Sequence, residues 1–370
     1  MNRNERALVA FTMLGHATFH LYELVVPVLV VVWLDDFSTT PAVLGGVVAA
    51  SYAATGVGAL PSGVLSDRFG GRRLVVASLV GMGGGFVVVS LAPSLTVLSL
   101  GLLVWGVAAS GYHPAGLALI SRGTTDRGTA FAYHGIAGNL GVVMGPLLGA
   151  VLLSVFDWRT TVALLVVPAG LAVALALALE FDETAAVDAE HATVGGRGGV
   201  RSRRQFLSDS ALLFTGTFLL VFFLGALYGF YYRGAVTFLP DVLARFPRLG
   251  PVVLAGRTVE PSRYVYAGLL LLGGAGQYVG GKLVDRYRAE RVLVANFAIL
   301  ALVAVAFVPA ANSGLWPLLV VSGMLGFFVF LEAPVNQELV SKHVPAELRG
   351  LSFGWTYVGV FGIGALGSAV

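Results

Sequence analysis

Hydrophobic positions in this chain gather into long runs of about 20 residues or more. Short charged or turn-rich breaks separate them, giving runs at roughly 7-34, 41-65, 74-92, 95-120, 128-155, 158-180, 210-240, 262-284, 291-309, 315-341 and 348-370. A run of that length is what a helix needs to cross a bilayer, so about eleven spans are predicted. The first run exceeds the apolar core of a secretory signal and leads to no small-residue cleavage site, so it is read as a span. The longest polar stretch, 181-209, starts acidic at Asp182 and Glu183, passes through Gly195, Gly196, Gly198 and Gly199, and ends basic. It reads as a flexible linker between an N-terminal bundle, 1-180, and a C-terminal bundle, 210-370.

Composition narrows the class. Of 370 residues 57% are hydrophobic and only 12% charged, against about 25% charged in soluble domains. A soluble enzyme, a disordered chain and, with no Cys, a disulfide scaffold are set aside. The basic residues are 21 Arg and 2 Lys, a bias that fits a GC-rich prokaryotic genome. They sit in short loops, so the net charge of +3 does not point to nucleic acid. Seventeen of the 23 fall on one side of the alternating loops, Arg3, Arg68, Arg122, Arg201, Arg286 and Lys342 among them. By the positive-inside rule that side is cytoplasmic, which predicts a multi-pass cell-membrane protein with its N-terminus inside.

The two halves repeat. Gly63-Val64-Leu65-Ser66-Asp67-Arg68 follows the second run, and Gly281-Lys282-Leu283-Val284-Asp285-Arg286 follows the eighth. Gly106, Pro114 and Ser121 match Gly326, Pro334 and Ser341 at nearly the same offset. A parallel repeat of six spans is a transporter plan. The extended motif, Gly63, Asp67, Arg68, Gly70, Arg72 and Arg73, resembles the loop 2-3 signature of the major facilitator superfamily, with Gly281, Asp285 and Arg286 as its second copy. The copy departs from the pattern where Arg288 stands for Gly. Gly63 is expected to let helices approach, and the Arg residues to close the cytoplasmic rim through ion pairs. Gly141, Gly145, Pro146 and Gly149 resemble the family's antiporter motif, with Ala150 in place of the last Gly; the bland alternative is a packing face. Gly111-Tyr112-His113-Pro114 and Gly138-Asn139 are similar to the fosmidomycin-resistance branch.

The resemblance implies an all-α membrane protein of the major facilitator fold, two six-helix bundles lined centrally by spans 1, 4, 7 and 10. It implies a twelfth span; the sequence ends in an apolar run at Val370, so a truncated sequence is expected. The ionisable groups fit the implied lining. His16, His20 and Glu23 lie in span 1, His113 in span 4, Arg233 in span 7 and Glu332 in span 10, while spans 3, 6 and 9 carry none in their apolar interiors. Such groups are costly in a bilayer and mark a pathway. His16, His20 and Glu23 share one helical face and can exchange protons, with Glu332 in reserve; a structural polar cluster is the alternative. H-x3-H-x2-E has no further ligand motif beside it, so no metal site is expected, and no cofactor. Arg233 either pairs with Glu23 or Glu332, receives an anionic substrate, or snorkels outward. Tyr112, His113, Asn139, Tyr232 and Gln277 are the other cavity candidates.

The predicted function is secondary active transport of a small molecule by alternating access, as proton-coupled efflux from a monomer in the lipid bilayer. The alternatives are an uptake symporter or facilitator for a sugar or organic anion, and a transporter-like receptor. No enzymatic or nucleotide-binding motif is present.

Overall fold

The computed structural model describes residues 1–125, 127–186, 203–254, 256–343 and 349–369. Helix α1 (Arg3–Asp36) starts with a reciprocal cap. The Glu5 N–H donates to the Asn2 side chain at 2.9 Å, and the Asn2 N–H to the Glu5 carboxylate at 2.8 Å. Together they satisfy two donors that a helix start leaves open. Then follow α2 (Pro41–Phe69), α3 (Gly71–Ser90), α4 (Leu95–Ala109), α5 (Tyr112–Gly123), α6 (Arg127–Leu153) and α7 (Trp158–Ala178). The second half holds α8 (Arg203–Leu213), α9 (Thr217–Ala244), α10 (Pro261–Arg286), α11 (Ala289–Ser313), α12 (Leu315–His343) and α13 (Arg349–Tyr357). Among the described residues, nine helical stretches are long and apolar enough to cross a membrane. Leu100, Val107, Leu171, Leu302 and Val305 are exposed on them, as side chains facing acyl chains should be.

Four local features depart from the predicted pattern. The fourth span runs on from Leu95 to Ile120 but loses regular α hydrogen bonding at Ser110-Gly111, where the Gly111 N–H turns to the Ala108 carbonyl, dividing α4 from α5. The end of the supposed linker already winds into α8. Within the 241-261 loop, β1 (Val252–Leu254) pairs antiparallel with β2 (Arg257–Val259), turning at Gly256 with φ +75°. The last run continues from α13 into a π-helical turn, Val358–Ile363, and a 3-10 stretch, Gly364–Ala369. Gly359, Gly362, Gly364 and Gly367 weaken regular winding there.

Three apolar clusters form the interior. One fills the first half around Tyr22, Trp33, Phe86 and Trp105. A second joins α9, α10 and α12 to Leu24 and Val28 of α1 and Val142 of α6. A third seals α8, α9, α11 and α12 around Phe218 and Val335. The halves meet where α1 touches α9, α6 touches α10, and α2 packs along 358–369.

Candidate functional site: a polar cluster on α1

The glycine stripe of α6 sets the site. A Cβ on Gly141 would meet the Ala17 carbonyl oxygen at 2.2 Å, and one on Gly145 the Leu21 oxygen at 2.3 Å. Gly138 lies against the His16 ring and Gly149 against Val25. Four-residue steps on one helix therefore match four-residue steps on the other, and the backbones touch. This crossing presses the polar face of α1 against α5 and α6.

On that face the three predicted side chains are linked. His20 Nδ1 lies 2.6 Å from Glu23 Oε2, and His20 Nε2 lies 3.1 Å from His16 Nε2. His16 Nδ1 is 2.7 Å from the His134 carbonyl oxygen. A carbonyl only accepts, so His16 Nδ1 carries the hydrogen and Nε2 presents a lone pair. His113, brought in by the first turn of α5, meets His16 edge-on at 5.2 Å between ring centres.

Glu23 also closes the contact between the halves. Arg233 Nη2 donates to Glu23 Oε1, and both side chains are buried, at 1% and 2% exposure. Arg233 therefore neither snorkels nor reaches Glu332. Its guanidinium stacks over Tyr52 at 3.8 Å, Phe361 at 4.8 Å and Tyr232 at 5.1 Å. The Tyr52 hydroxyl donates to the Glu23 backbone carbonyl at 2.8 Å. Such an aromatic cage around a desolvated cation is stabilising through the ring quadrupoles.

Glu332 has a different setting. It is buried in α12, and its one hydrogen bond among the described residues comes from Asn336 Nδ2 at 3.0 Å. The Tyr112 hydroxyl donates to the Thr12 carbonyl at 2.5 Å and lies 3.0 Å from His134 Nε2, so it braces α5 against α1 and α6. Asn139 approaches Gly274 of α10, and Gln277 lies one turn further along that helix, half-buried.

The loop after α2 is organised differently from its expected role. Gly70, with φ +92°, ends α2 and starts α3. The Glu183 carboxylate accepts from the Gly71 and Arg72 N–H groups at 2.9 and 3.1 Å. Arg72 donates to the Leu179 and Leu177 carbonyls at 2.7 and 3.3 Å, capping the C-terminal end of α7. Arg68 stacks on its own neighbour Phe69, and Arg73 and Arg286 are exposed. These bonds hold the first half to itself and do not cross to the second. Among the described residues, Gly63 and Gly281 have nothing within 4 Å of a Cβ position, so no close helix approach is seen at either. The side chains of Asp67 and Asp285 lie outside the described residues.

Several contributors had no motif to mark them. His134 of α6 acts through its backbone carbonyl, which orients His16 and which no side-chain pattern marks. Tyr52, Phe361 and Tyr357, whose ring lies 5.3 Å from His113, come from helices that packing alone brings in.

The family model described as the Major Facilitator Superfamily matches residues 10–368. A multidrug resistance protein B homolog of Mycobacterium tuberculosis is 29% identical over 171 residues, 46% of this chain and 32% of that one. The chain thus matches about a third of that relative's length. The class G tetracycline resistance protein of Vibrio anguillarum is 38% identical over 91 residues, 24% of this chain and 23% of that one. In fold, the chain resembles an inward-facing, unoccupied bacterial homolog of the human lysosomal transporter Spinster. The TM-score is 0.79 at 17% identity, covering 100% of this chain and 82% of that one. With the family model spanning nearly the whole chain and the solved fold following it throughout, the chain belongs to the major facilitator superfamily, as a multi-pass membrane protein.

Proposed function

We propose that this transporter exports a small molecule in exchange for protons, working as one chain whose halves, 1-180 and 210-370, rock about the α1–α9 contact. The N-terminus and the Gly63–Arg73 loop then face the cytoplasm, in keeping with the positive charge of that side. The single observation that carries the reading is the Glu23–Arg233 ion pair, the buried charge link between the halves. Separating it leaves two uncompensated charges in a dry site, at a cost of roughly 3–5 kcal/mol. The pair therefore acts as a latch that opens only when something replaces one partner. The drug-resistance names of the two relatives support export over uptake.

The two carboxylates divide the work. Glu23 is committed to Arg233 and His20. Glu332 is buried with one amide donor and no cation among the described residues, so a proton on it removes a charge that nothing else offsets. We assign the coupling proton to Glu332 and the latch to Glu23, which inverts the order expected from helix position alone. The test is transport in proteoliposomes. Glu332→Gln should abolish accumulation driven by a pH gradient while leaving substrate exchange intact. Glu23→Gln should slow both modes together. Full pH-driven accumulation in Glu332→Gln and in the double variant would remove both carboxylates from coupling and move it to the histidines of α1 or to a different driving ion, whereas no pH-driven accumulation by the unaltered protein would favour a facilitator.

A further inference from the structure

We propose that the imidazoles of His16, His20 and His113 form a binding site for a borderline divalent transition-metal ion, of the class of Zn2+ or Co2+. Sequence spacing offered only two of these ligands. The third comes from α5, nearly 100 residues on, and the fold brings one nitrogen of each within 4.8 Å of the others. His16 Nε2 and His20 Nε2 are 3.1 Å apart. Tetrahedral zinc with bonds of about 2.0–2.1 Å sets its ligand nitrogens roughly 3.3 Å from one another. Closing the triad around an ion thus needs His113 to move by little more than a rotamer adjustment.

Tautomers strengthen the argument. His16 Nδ1 donates to the His134 carbonyl, which leaves Nε2 as a lone pair. His20 Nδ1 faces the Glu23 carboxylate at 2.6 Å, so the same assignment leaves its Nε2 as a lone pair too. In that assignment the two lone pairs face each other at 3.1 Å, a spacing that either a shared proton or a metal cation completes. Nδ1 bound to a carbonyl or carboxylate with Nε2 toward the ion is the usual outer-shell arrangement of metal-binding histidines, fixing the ring and raising its basicity. Glu23 also supplies negative charge one bond from the site. Beside His113, but not bordered by His16 or His20, a void of about 10 Å³ lies between Ser110, Thr55 and Tyr357, at the lower limit of room for one water; a water reaching the ion would complete the open four-coordinate site. Three imidazoles and a water favour Zn2+, Co2+ or Ni2+ over Mg2+ or Ca2+.

The competing account is that His16 and His20 share one proton and hold no metal. Titrating the purified chain in nanodiscs with Co2+, followed by visible absorption, separates the two. The expected result is one Co2+ per chain with the intense spectrum of four-coordinate Co2+, displaced by one equivalent of Zn2+. His16→Ala and His113→Ala should each weaken binding by about 100-fold or more, and Glu23→Gln by about 10–100-fold, since it alters only the outer shell. Should an alanine variant fail to fold, His113→Gln, which keeps bulk, takes its place. A shared proton predicts no such spectrum at any Co2+ concentration, and that result overturns the proposal. So does the weak spectrum of six-coordinate Co2+, or binding that is unchanged in folded His16→Ala and His113→Gln. Binding is read at equilibrium, so these outcomes stand whether or not the chain proves to be a proton-driven exporter.

Discussion

Arg233 of α9 and Glu23 of α1 stand 210 positions apart in the chain and meet in one buried ion pair, caged by Tyr52, Tyr232 and Phe361. Deleting one partner strands the other charge. Arg233→Met or Glu23→Gln alone should therefore lower stability by roughly 3–5 kcal/mol, whereas the two combined should lose much less. Thermal unfolding of the four corners of this cycle checks it; additive losses would mean the pair is not coupled.

The α1–α6 crossing predicts a sharp contrast between two glycines of one helix. Gly145→Ala places its methyl 2.3 Å from the Leu21 carbonyl oxygen, while Gly135→Ala meets nothing within 4 Å among the described residues. The first should cost about 1–3 kcal/mol through forced separation of the helices. The second should be neutral or slightly stabilising, because Ala is the better helix former. Thermal stability after gel filtration distinguishes them, and equal losses would contradict the crossing described.

Glu183 caps α3 from the far side of α7. Glu183→Ala should remove the acceptor for the Gly71 and Arg72 N–H groups and destabilise by roughly 0.5–2 kcal/mol, the range for loss of an N-terminal cap. Hydrogen exchange localised to 71–74 should rise in the variant. Unchanged protection there would show that the cap is dispensable.

Asp157, the N-cap of α7, gives a pH dependence outside the membrane spans. The Thr160 hydroxyl at 2.6 Å, and next the Thr160 backbone N–H at 3.0 Å, hold its carboxyl below the usual carboxylate range. A folded-state value below the unfolded one, about 3.9, means the stabilisation is complete above that pH. It is lost as pH falls through the folded-state value. The gap in melting temperature between wild type and Asp157→Ala should thus be constant from about pH 7 to 5 and narrow below about pH 4. A gap that widens on acidification would reverse the sign.

Much of this architecture was legible because bilayer solvent leaves few options: apolar run length fixes the spans, and charge cost keeps spans 3, 6 and 9 clean. The glycine stripe at 138, 141, 145 and 149 was legible for the same reason, since only small residues let two helices touch. The contact between His113 and His16 was not, because it depends on the break at Ser110-Gly111 and on rotation of α5 about its axis, which no local pattern encodes. Nor was the partner of Arg233, as Glu23 and Glu332 sit at comparable depth and only packing chooses between them. Gly63 and Gly281 misled in the other direction: a glycine in a signature implied contact, and none is seen at either among the described residues.

The winding of residues 358–369 bears on how the halves can move. A Cβ on Gly56 would strike Gly362, one on Gly45 would strike Ser368, and one on Gly229 would strike Val360, so this segment meets α2 and α9 backbone to backbone. Interlocked side chains must disengage before helices slide, and each new register is a separate minimum. Where peptide group meets peptide group, as at these three glycines, the contact has few teeth. In the proposed rocking motion such contacts would work as a plain bearing, on which a small rotation changes many weak contacts gradually, and the proposed charge latch at Glu23 and Arg233 would carry most of the barrier.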